Sequence, residues 1–310
     1  MNNVSILVLG AGELGMAVLC SLAKHVAKFP DTTLTVLVRP STLNSSNSSK
    51  QRDLAALQSL GVKFLPGDLA ADSIADLAAR FRNFHTVIGC TGFVAGHNIQ
   101  LKIAHAVLAA DVRRYFPWQF GVDYDVIGRG SAQDLFDEQL DVRDLLRSQN
   151  CTEWVIVSTG MFTSFLFEPS FGVVDLAQNT VHALGSWDTA VTVTTPEDIG
   201  ILTAEIIFAN PRIINSIVYT VGDTVTYTQL ANIVDSVLNR KVQRVEWSVP
   251  QLKDELAKDP DHPIKKYRVV FAEGKGVSWE TGKAFNVQQK IEVTDVTRWA
   301  REHLKLLTQQ

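Results

Sequence analysis

The sequence is poor in cysteine, and its charges nearly balance. Its 310 residues include only three cysteines, Cys20, Cys90 and Cys151, and their spacing matches neither a zinc site nor a disulfide framework. Each lies in or beside an apolar run, so we expect buried, reduced thiols, which favour a cytoplasmic protein. The formal net charge of −4 gives no reason to expect a nucleic-acid partner, because such proteins usually present a basic face.

The sequence has one apolar run of membrane-spanning length. Val4 to Ala23 is almost wholly apolar, but it contains Glu13 and three glycines in a fixed pattern. We interpret it as a strand, a glycine turn and a helix, and expect no membrane association. The His, Asp and Glu residues form no cluster with ligand spacing, so we expect no metal.

Strands and helices alternate through the first half of the chain. Val4–Leu9 and Leu34–Val38 are typical of strands buried on both faces, with a helix from Met16 between them. The alternation continues to a sixth strand at Trp154–Val157, and only Asn44–Lys50 predicts a mobile polar loop before a helix at Leu54. This pattern predicts an α/β protein with a doubly wound, parallel Rossmann sheet.

After Thr159 the alternation is lost. We therefore predict a dinucleotide-binding domain over residues 1–159 and a smaller C-terminal α/β substrate lobe over 160–310, with parts of about 190–222 returning to the sheet. The stretch from Gly160 to Gly185 shows no regular pattern. Helices are predicted from Pro196, over 227–238, over 249–258 and over 293–307.

The glycine turn predicts a dinucleotide site. In Gly10-x-Gly12-x-x-Gly15, the first glycine permits the tight turn, the second lets a pyrophosphate approach, and the third lets helix and strand pack closely. The backbone N–H groups that begin the helix, at Glu13 and Leu14, would bind the phosphates. The position between a buried strand and a helix is the context that supports this motif.

The end of the second strand favours NADP(H) over NAD(H). An acidic residue there would bind the ribose 2′-hydroxyl, but the chain has Arg39 and no nearby carboxylate. A guanidinium can bind a 2′-phosphate in bidentate fashion. Lys50 is a candidate second cation, and the alternative is that Arg39 only faces solvent.

Several short motifs together resemble a known family. They are the glycine turn, Leu37-Val-Arg39, Gly61-Val-x-Phe-x-x-Gly-Asp-Leu69, Phe116-Pro-x-x-Phe-Gly121, Val142-Arg143 and Val157-Ser-Thr-Gly-Met-Phe162. In this order they resemble the NmrA-like and isoflavone-reductase-like branch of the atypical short-chain dehydrogenases, with fungal members most similar. The resemblance implies NADPH as hydride donor, a small aromatic or heterocyclic substrate, and a cleft between the two domains. It also implies cofactor contacts from Thr91, Gly92, Gln119 and Phe120.

One position departs from the family. Ordinary short-chain dehydrogenases use Tyr-x-x-x-Lys, which is absent here, and the resembling branch has a lysine four residues before Arg143. That position is Gln139, whose amide cannot act as an acid or base in the physiological range. Candidate replacements are Asp123, Tyr124 and His97, which follow predicted strands. Solvated surface is the expected place for the carboxylates, including Asp137 and Glu138.

Aromatic residues suggest a substrate pocket. Five residues are placed to build it, although ordinary core packing is expected to claim at least two of them: Trp118, Phe120, Phe162, Phe165 and Phe167. By the resemblance, Met161 and Phe162 would lie beside the nicotinamide.

Three functions remain open from the sequence. The leading hypothesis is an NADPH-dependent reductase of secondary metabolism that delivers hydride to a C=N, C=C or C=O bond. The alternatives are an NmrA-like regulator that senses the redox state of NADP(H), and a cyclase that uses the cofactor to set up ring closure. A homodimer is allowed but not indicated.

Overall fold

A computed structural model describes residues 4–29, 31–93 and 96–307. The strands are β1 Val4–Leu9, β2 Thr32–Val38, β3 Lys63–Pro66, β4 Thr86–Gly89, β5 Arg114–Phe116, β6 Glu153–Ser158, β7 Met161–Phe162, β8 Val174–Asp175, β9 Thr180–Leu184, β10 Ala190–Thr194, β11 Ser216–Tyr219, β12 Asp223–Thr226 and β13 Gln243–Trp247. The helices are α1 Glu13–Val26, α2 Pro40–Leu43, α3 Ser48–Ser59, α4 Ile74–Phe81, α5 Ile99–Ala109, α6 Tyr124–Ile127, α7 Leu135–Arg147, α8 Pro196–Ile207, α9 Tyr227–Leu238, α10 Val249–Ala257, α11 Pro263–Glu273, α12 Phe285–Gln288 and α13 Val296–Leu307.

The chain forms two compact units that alternate along the sequence. The first contains Met1–Gln119, Glu138–Val157 and Pro196–Val218. The second contains Phe120–Asp137, Ser158–Thr195 and Tyr219–Gln310.

The first unit is built on the predicted sheet. Its seven strands run in the order β3-β2-β1-β4-β5-β6-β11, and the pairs from β3 to β6 are parallel. Strands β1, β2, β4, β5 and β6 are mostly buried, as in a parallel sheet with helices on both faces. The core beneath α4, α5 and α7 includes the fully buried Leu7, Phe81 and Tyr115. The predicted Rossmann-type α/β fold is confirmed, and the strand order reverses between β1 and β4, where such sheets bind ligands.

Helices α1 and α8 pack with unusually close backbones. Gly200 of α8 lies against the backbone of Ala17, where an added Cβ would come within 2.5 Å of the carbonyl carbon. Farther along, His25 Nε2 lies 3.0 Å from Glu205 Oε1. From the pair Ala17 and Gly200 to the pair His25 and Glu205, the residue number increases along both helices. The two helices therefore run parallel and begin at the same end.

The second unit contains two small sheets, β12-β10-β7 and β13-β9-β8, together with helices α9 to α13. Strands β7, β8 and β9 lie within residues 160–185, where the sequence shows no regular pattern. These strands have only two to five residues, too few to show a period, and pairing with distant segments defines them. Strand β13 was also missed, because its residues are mostly exposed and it is stabilised by its parallel pairing with β9.

Two local expectations in the first unit are corrected. The polar segment 44–50 is not wholly a loop, because α3 begins at Ser48. The Asn47 side chain accepts hydrogen bonds from the backbone N–H groups of Ser49 and Lys50, so the residues that suggested a loop cap a helix instead. Of the cysteines, Cys90 is buried as expected, but Cys20 is only partly buried and Cys151 is exposed just before β6.

Candidate functional site

The glycine turn connects β1 to α1 in a conformation that excludes larger residues. Gly10 has φ of +98°, and a Cβ there would lie 2.5 Å from Thr91 Oγ1. A Cβ on Gly15 would lie 2.9 Å from the Gly10 carbonyl carbon. Both positions therefore require glycine for conformation or close packing. At Gly12 an added Cβ would meet no described atom within 4 Å, so the turn leaves open space there.

The beginning of α1 is available to an anion. Gly12 is the N-cap residue, and no side chain of the described residues caps it, so the first N–H groups, including those of Glu13 and Leu14, lack intrahelical acceptors. Glu13 adds a complication, because burial and the nearby Glu197 carboxylate both raise the pKa of its side chain. The beginning of α1 therefore carries a carboxyl group whose charged form is disfavoured.

Two cations follow the end of β2. Arg39 is the N-cap residue of the short helix α2, and its exposed guanidinium contacts no partner among the described residues. Lys50 lies in the first turn of α3 and is also exposed. Because β1 and β2 are parallel neighbours, Arg39 and the glycine turn lie at the same edge of the sheet.

The segment after β4 lies at this edge too. Thr91 donates its hydroxyl to the Leu9 carbonyl at 2.9 Å. Gly92 lies against Trp118, because an added Cβ would be 2.8 Å from the indole ring. Trp118 also packs edge-to-face on Phe93, with ring centroids 4.6 Å apart. Trp118, expected at a substrate pocket, therefore packs in the first unit against the predicted cofactor segment.

Gln139 is fully buried, and neither of its amide side-chain atoms has a hydrogen-bond partner among the described residues. Its backbone carbonyl accepts a hydrogen bond from Gln119 Nε2 at 2.8 Å. Gln119 Oε1 accepts one from Arg143 Nε at 2.7 Å. The Gln119 side chain, expected at the cofactor, is thus engaged with α7.

The three candidate proton donors lie in different settings. His97 is exposed in the turn before α5. Asp123 is buried, contrary to the solvated surface expected for it, and its carboxylate accepts hydrogen bonds from the Tyr219 hydroxyl at 2.7 Å and from the Val126 backbone. Tyr124 is buried with its ring edge-to-face on Phe136. Asp123 and Tyr124 therefore have clear structural roles, and proton donation by any of the three stays a prediction.

An aromatic cluster in the second unit includes Phe165, one of the residues expected at a substrate pocket. Phe165 stacks on Phe171 at 4.6 Å and meets the edge of Tyr267 at 6.2 Å. Tyr267 in turn packs edge-to-face on Phe136 at 5.9 Å. Burial raises the pKa of Tyr267 to about 12, so its hydroxyl stays protonated, and it makes no hydrogen bond to a described residue. Sequence reasoning missed Tyr267, because it lies in α11, which gave no pattern.

Of the other expected substrate residues, three are buried in the core and one is partly exposed. Met161 is buried in β7, which pairs with β10, while Phe162 is partly exposed at the start of a 3₁₀ turn over 163–167. Phe120 and Phe167 are buried, and Phe167 stacks on Trp299 of α13 at 4.7 Å. These two are the aromatic residues that core packing claims.

The described residues contain neither a candidate metal site nor a candidate membrane span. Within residues 4–29, 31–93 and 96–307, no group of three or more His, Cys, Asp or Glu side chains could hold a metal ion. In the same ranges, no helix combines the length and apolarity needed to cross a bilayer.

The fold and the glycine turn define the class: a Rossmann-type protein with a glycine turn typical of dinucleotide-binding proteins at the switch point of its sheet. The model of the NmrA-like family matches residues 2–298, and the chain belongs to that family. It is 47% identical over 302 residues, or 97% of each chain, to an NmrA-like family domain-containing oxidoreductase of Gibberella moniliformis.

More distant relatives are plant reductases. The chain is 27% identical to phenylcoumaran benzylic ether reductase 1 of Arabidopsis thaliana over 272 residues, which is 84% of this chain and 85% of that one. Its fold is similar to that of the binary complex of leucoanthocyanidin reductase and NADPH from Vitis vinifera. That similarity has a TM-score of 0.80 at 16% identity, covering 97% and 99% of the two chains. The resemblance drawn from the sequence motifs is confirmed.

Proposed function

We propose that this protein is an NADPH-dependent reductase of a small aromatic or heterocyclic metabolite. The observation that carries the proposal is the open, uncapped start of α1, with an unpaired arginine at the end of the adjacent strand. The 47% identical relative is itself an oxidoreductase, and the similar plant structure is a complex with NADPH, which supports the same activity here.

The described residues fit the cofactor. The open space at Gly12 and the free N–H groups of Glu13 and Leu14 would hold the pyrophosphate. Arg39, with Lys50 as a second cation, would bind the 2′-phosphate. Thr91 and Gly92 would line the segment after β4. When bound, NADPH supplies a hydride, and the protein's task is to orient it and exclude water.

Arg39→Ala tests the cofactor assignment. Loss of a hydrogen-bonded charge pair costs about 1.5–3 kcal/mol, and an exposed arginine lies toward the lower end, so NADPH affinity should fall roughly tenfold. Affinity for NADH, which lacks the 2′-phosphate, should change little. Fluorescence titration of both dinucleotides measures this.

Lys63→Ala is the matched control. Lys63 begins β3, so it lies at the opposite edge of the same parallel sheet and is exposed. Lys63→Ala removes the same positive charge as Arg39→Ala, but at a position away from the proposed site. Equal losses in both variants would mean that Arg39 acts only through net charge, and absence of NADPH binding by the unmodified protein would refute the proposal.

Gln139 constrains the chemistry. An amide does not donate a proton in the physiological range, so this position does not protonate the product as a lysine could. An iminium carbon accepts hydride without prior protonation and suits such a site. For a carbonyl or alkene, the proton must come from another group, and Tyr124, Asp123 and His97 remain the candidates.

The proposed substrate class follows from the aromatic cluster in the second unit. Phe165 and Tyr267 of this cluster are partly exposed, as is Phe162, which precedes Phe165 by three residues. Such aromatic side chains suit a planar aromatic or heterocyclic compound. Mass spectrometry of metabolites that co-purify with the protein identifies candidates directly.

The buried, non-ionisable Gln139 also favours a second function, an NADP(H) sensor that regulates a partner protein. A sensor must bind the oxidised and reduced cofactors with different affinity to shift an equilibrium, whereas an enzyme must turn over. Comparison of NADP+ and NADPH dissociation constants, together with assays on co-purified metabolites, separates the two functions.

A further inference from the structure

The beginning of α5 is capped by a side chain from another helix. Glu138 of α7 accepts three backbone hydrogen bonds there: from Asn98 at 3.0 Å, from Gln100 at 2.7 Å and from Leu101 at 3.2 Å. Asn98, the N-cap residue, has a left-handed φ of 60° and its own side chain makes no capping hydrogen bond. The carboxylate therefore supplies a cap that the local sequence does not.

Burial of this carboxylate shows that the contact is built into the fold. Glu138 is only 8% exposed, contrary to the solvated position expected from the sequence. A buried carboxylate requires donors to replace water, and three N–H groups at the positive end of a helix satisfy it. The same contact occupies the α5 N-terminus, so this helix end does not offer a phosphate site.

A hydrogen-bond network runs from Glu138 to the glycine turn. Gln100, whose backbone N–H binds Glu138, donates its side-chain Nε2 to the Thr91 carbonyl at 2.7 Å. The Thr91 hydroxyl donates to the Leu9 carbonyl at 2.9 Å. Leu9 precedes Gly10, and Thr91 Oγ1 fills the space beside the Gly10 Cα.

We propose that Glu138 is a positioning residue for the dinucleotide site. It holds Gln100, and through Gln100 the segment Thr91–Gly92, in register with the glycine turn. It also ties that segment to α7, the helix on which Gln139 occupies the family's lysine position. This inference rests on the proposed binding of NADPH, and it assigns Glu138 an effect that is transmitted through Gln100 and Thr91.

A merely structural cap would act differently. It would stabilise α5 against unfolding and leave NADPH affinity unchanged, as a surface cap does. Ser73 provides that comparison in the same unit, because its hydroxyl caps α4 by accepting from the Asp76 backbone at 3.2 Å. No hydrogen bond of Ser73 or Asp76 leads to the glycine turn among the described residues.

The test compares Glu138→Ala, Glu138→Gln and Ser73→Ala. NADPH dissociation constants are measured by fluorescence titration, and hydrogen exchange follows the backbone amides of Asn98–Leu101. We expect Glu138→Ala to weaken NADPH binding about five- to tenfold and to expose these amides to exchange. Glu138→Gln, which keeps one acceptor oxygen, should recover part of both. Ser73→Ala should lower the unfolding temperature and leave the dissociation constant within twofold.

Two results would overturn the inference. One is a Glu138→Ala dissociation constant within twofold of the unmodified protein, and the other is an equal loss in Ser73→Ala. If Glu138→Ala does not fold, Glu138→Gln provides the test. We expect its NADPH affinity to fall about threefold, and an unchanged dissociation constant would contradict the inference. Failure of the unmodified protein to bind NADPH would instead refute the proposed function, and this inference with it.

Discussion

The substitution Gly200→Ala sets two effects of opposite sign against each other. In an exposed helix, alanine stabilises relative to glycine by about 1 kcal/mol. Here the added Cβ would lie 2.5 Å from the Ala17 carbonyl carbon and 3.0 Å from the Val18 nitrogen, whereas carbon atoms prefer about 3.5–4.0 Å. Both obstacles are backbone atoms of α1, so no rotamer change relieves them, and the helices must separate by about 1 Å.

Overpacking of this kind costs about 1–3 kcal/mol, and rigid backbone on both sides places it near the upper limit. After the propensity gain, we expect a net loss of about 1–2 kcal/mol. Hydrogen exchange of the α1 and α8 amides is the suitable assay, because it reports local stability in a chain with two compact units. Protection should fall about 5–30-fold.

The same shift should reach the cofactor site, because α1 begins at the glycine turn. NADPH affinity should therefore fall together with protection. Ile201→Ala is the control, since Ile201 is the next residue on α8 and is exposed, where substitutions usually change stability by less than about 0.5 kcal/mol. Neutral or increased protection in Gly200→Ala would refute the packing argument.

Three further predictions concern the sites themselves. Glu13 gains its charge as pH rises through its raised pKa, so NADPH affinity should fall over that range, and Glu13→Gln should flatten the titration and bind about two- to fivefold tighter at neutral pH. An unchanged pH dependence would place the carboxylate away from the phosphates. Gln139→Lys should change the rate or add an ionisation to the pH–rate profile if that side chain faces the substrate, and identical profiles would mean that it does not. Tyr267→Phe keeps the ring contacts with Phe136 and Phe165 but removes the hydroxyl. If that hydroxyl binds the substrate, the KM for the identified metabolite should rise about two- to tenfold, with NADPH affinity unchanged. An unaltered KM would exclude such a hydrogen bond.

Much of the first unit could be predicted because its signals are local. Strands β1 and β2 are apolar on both faces, as a covered parallel sheet requires, and the glycine turn has one compatible backbone path. The proposed role of Arg39 at the 2′-phosphate follows from its position directly after β2. In the second unit, β8 and β13 are too short or too polar to show a period, and α11 joins the aromatic cluster without any motif to mark it.

The sequence by itself therefore determined the parallel sheet, its first six strands in chain order, the glycine turn and the family. Tertiary structure alone decided which polar groups are buried and what they contact. From the sequence, the carboxylate of Glu138 was expected on the solvated surface. In the structure, α7 brings it to the beginning of α5, where it binds Asn98, forty residues away. Likewise, Asp123 is held by Tyr219, far along the chain. The physical reason is that local pattern fixes backbone conformation, whereas the environment of a side chain is set by segments that become neighbours only when the chain folds.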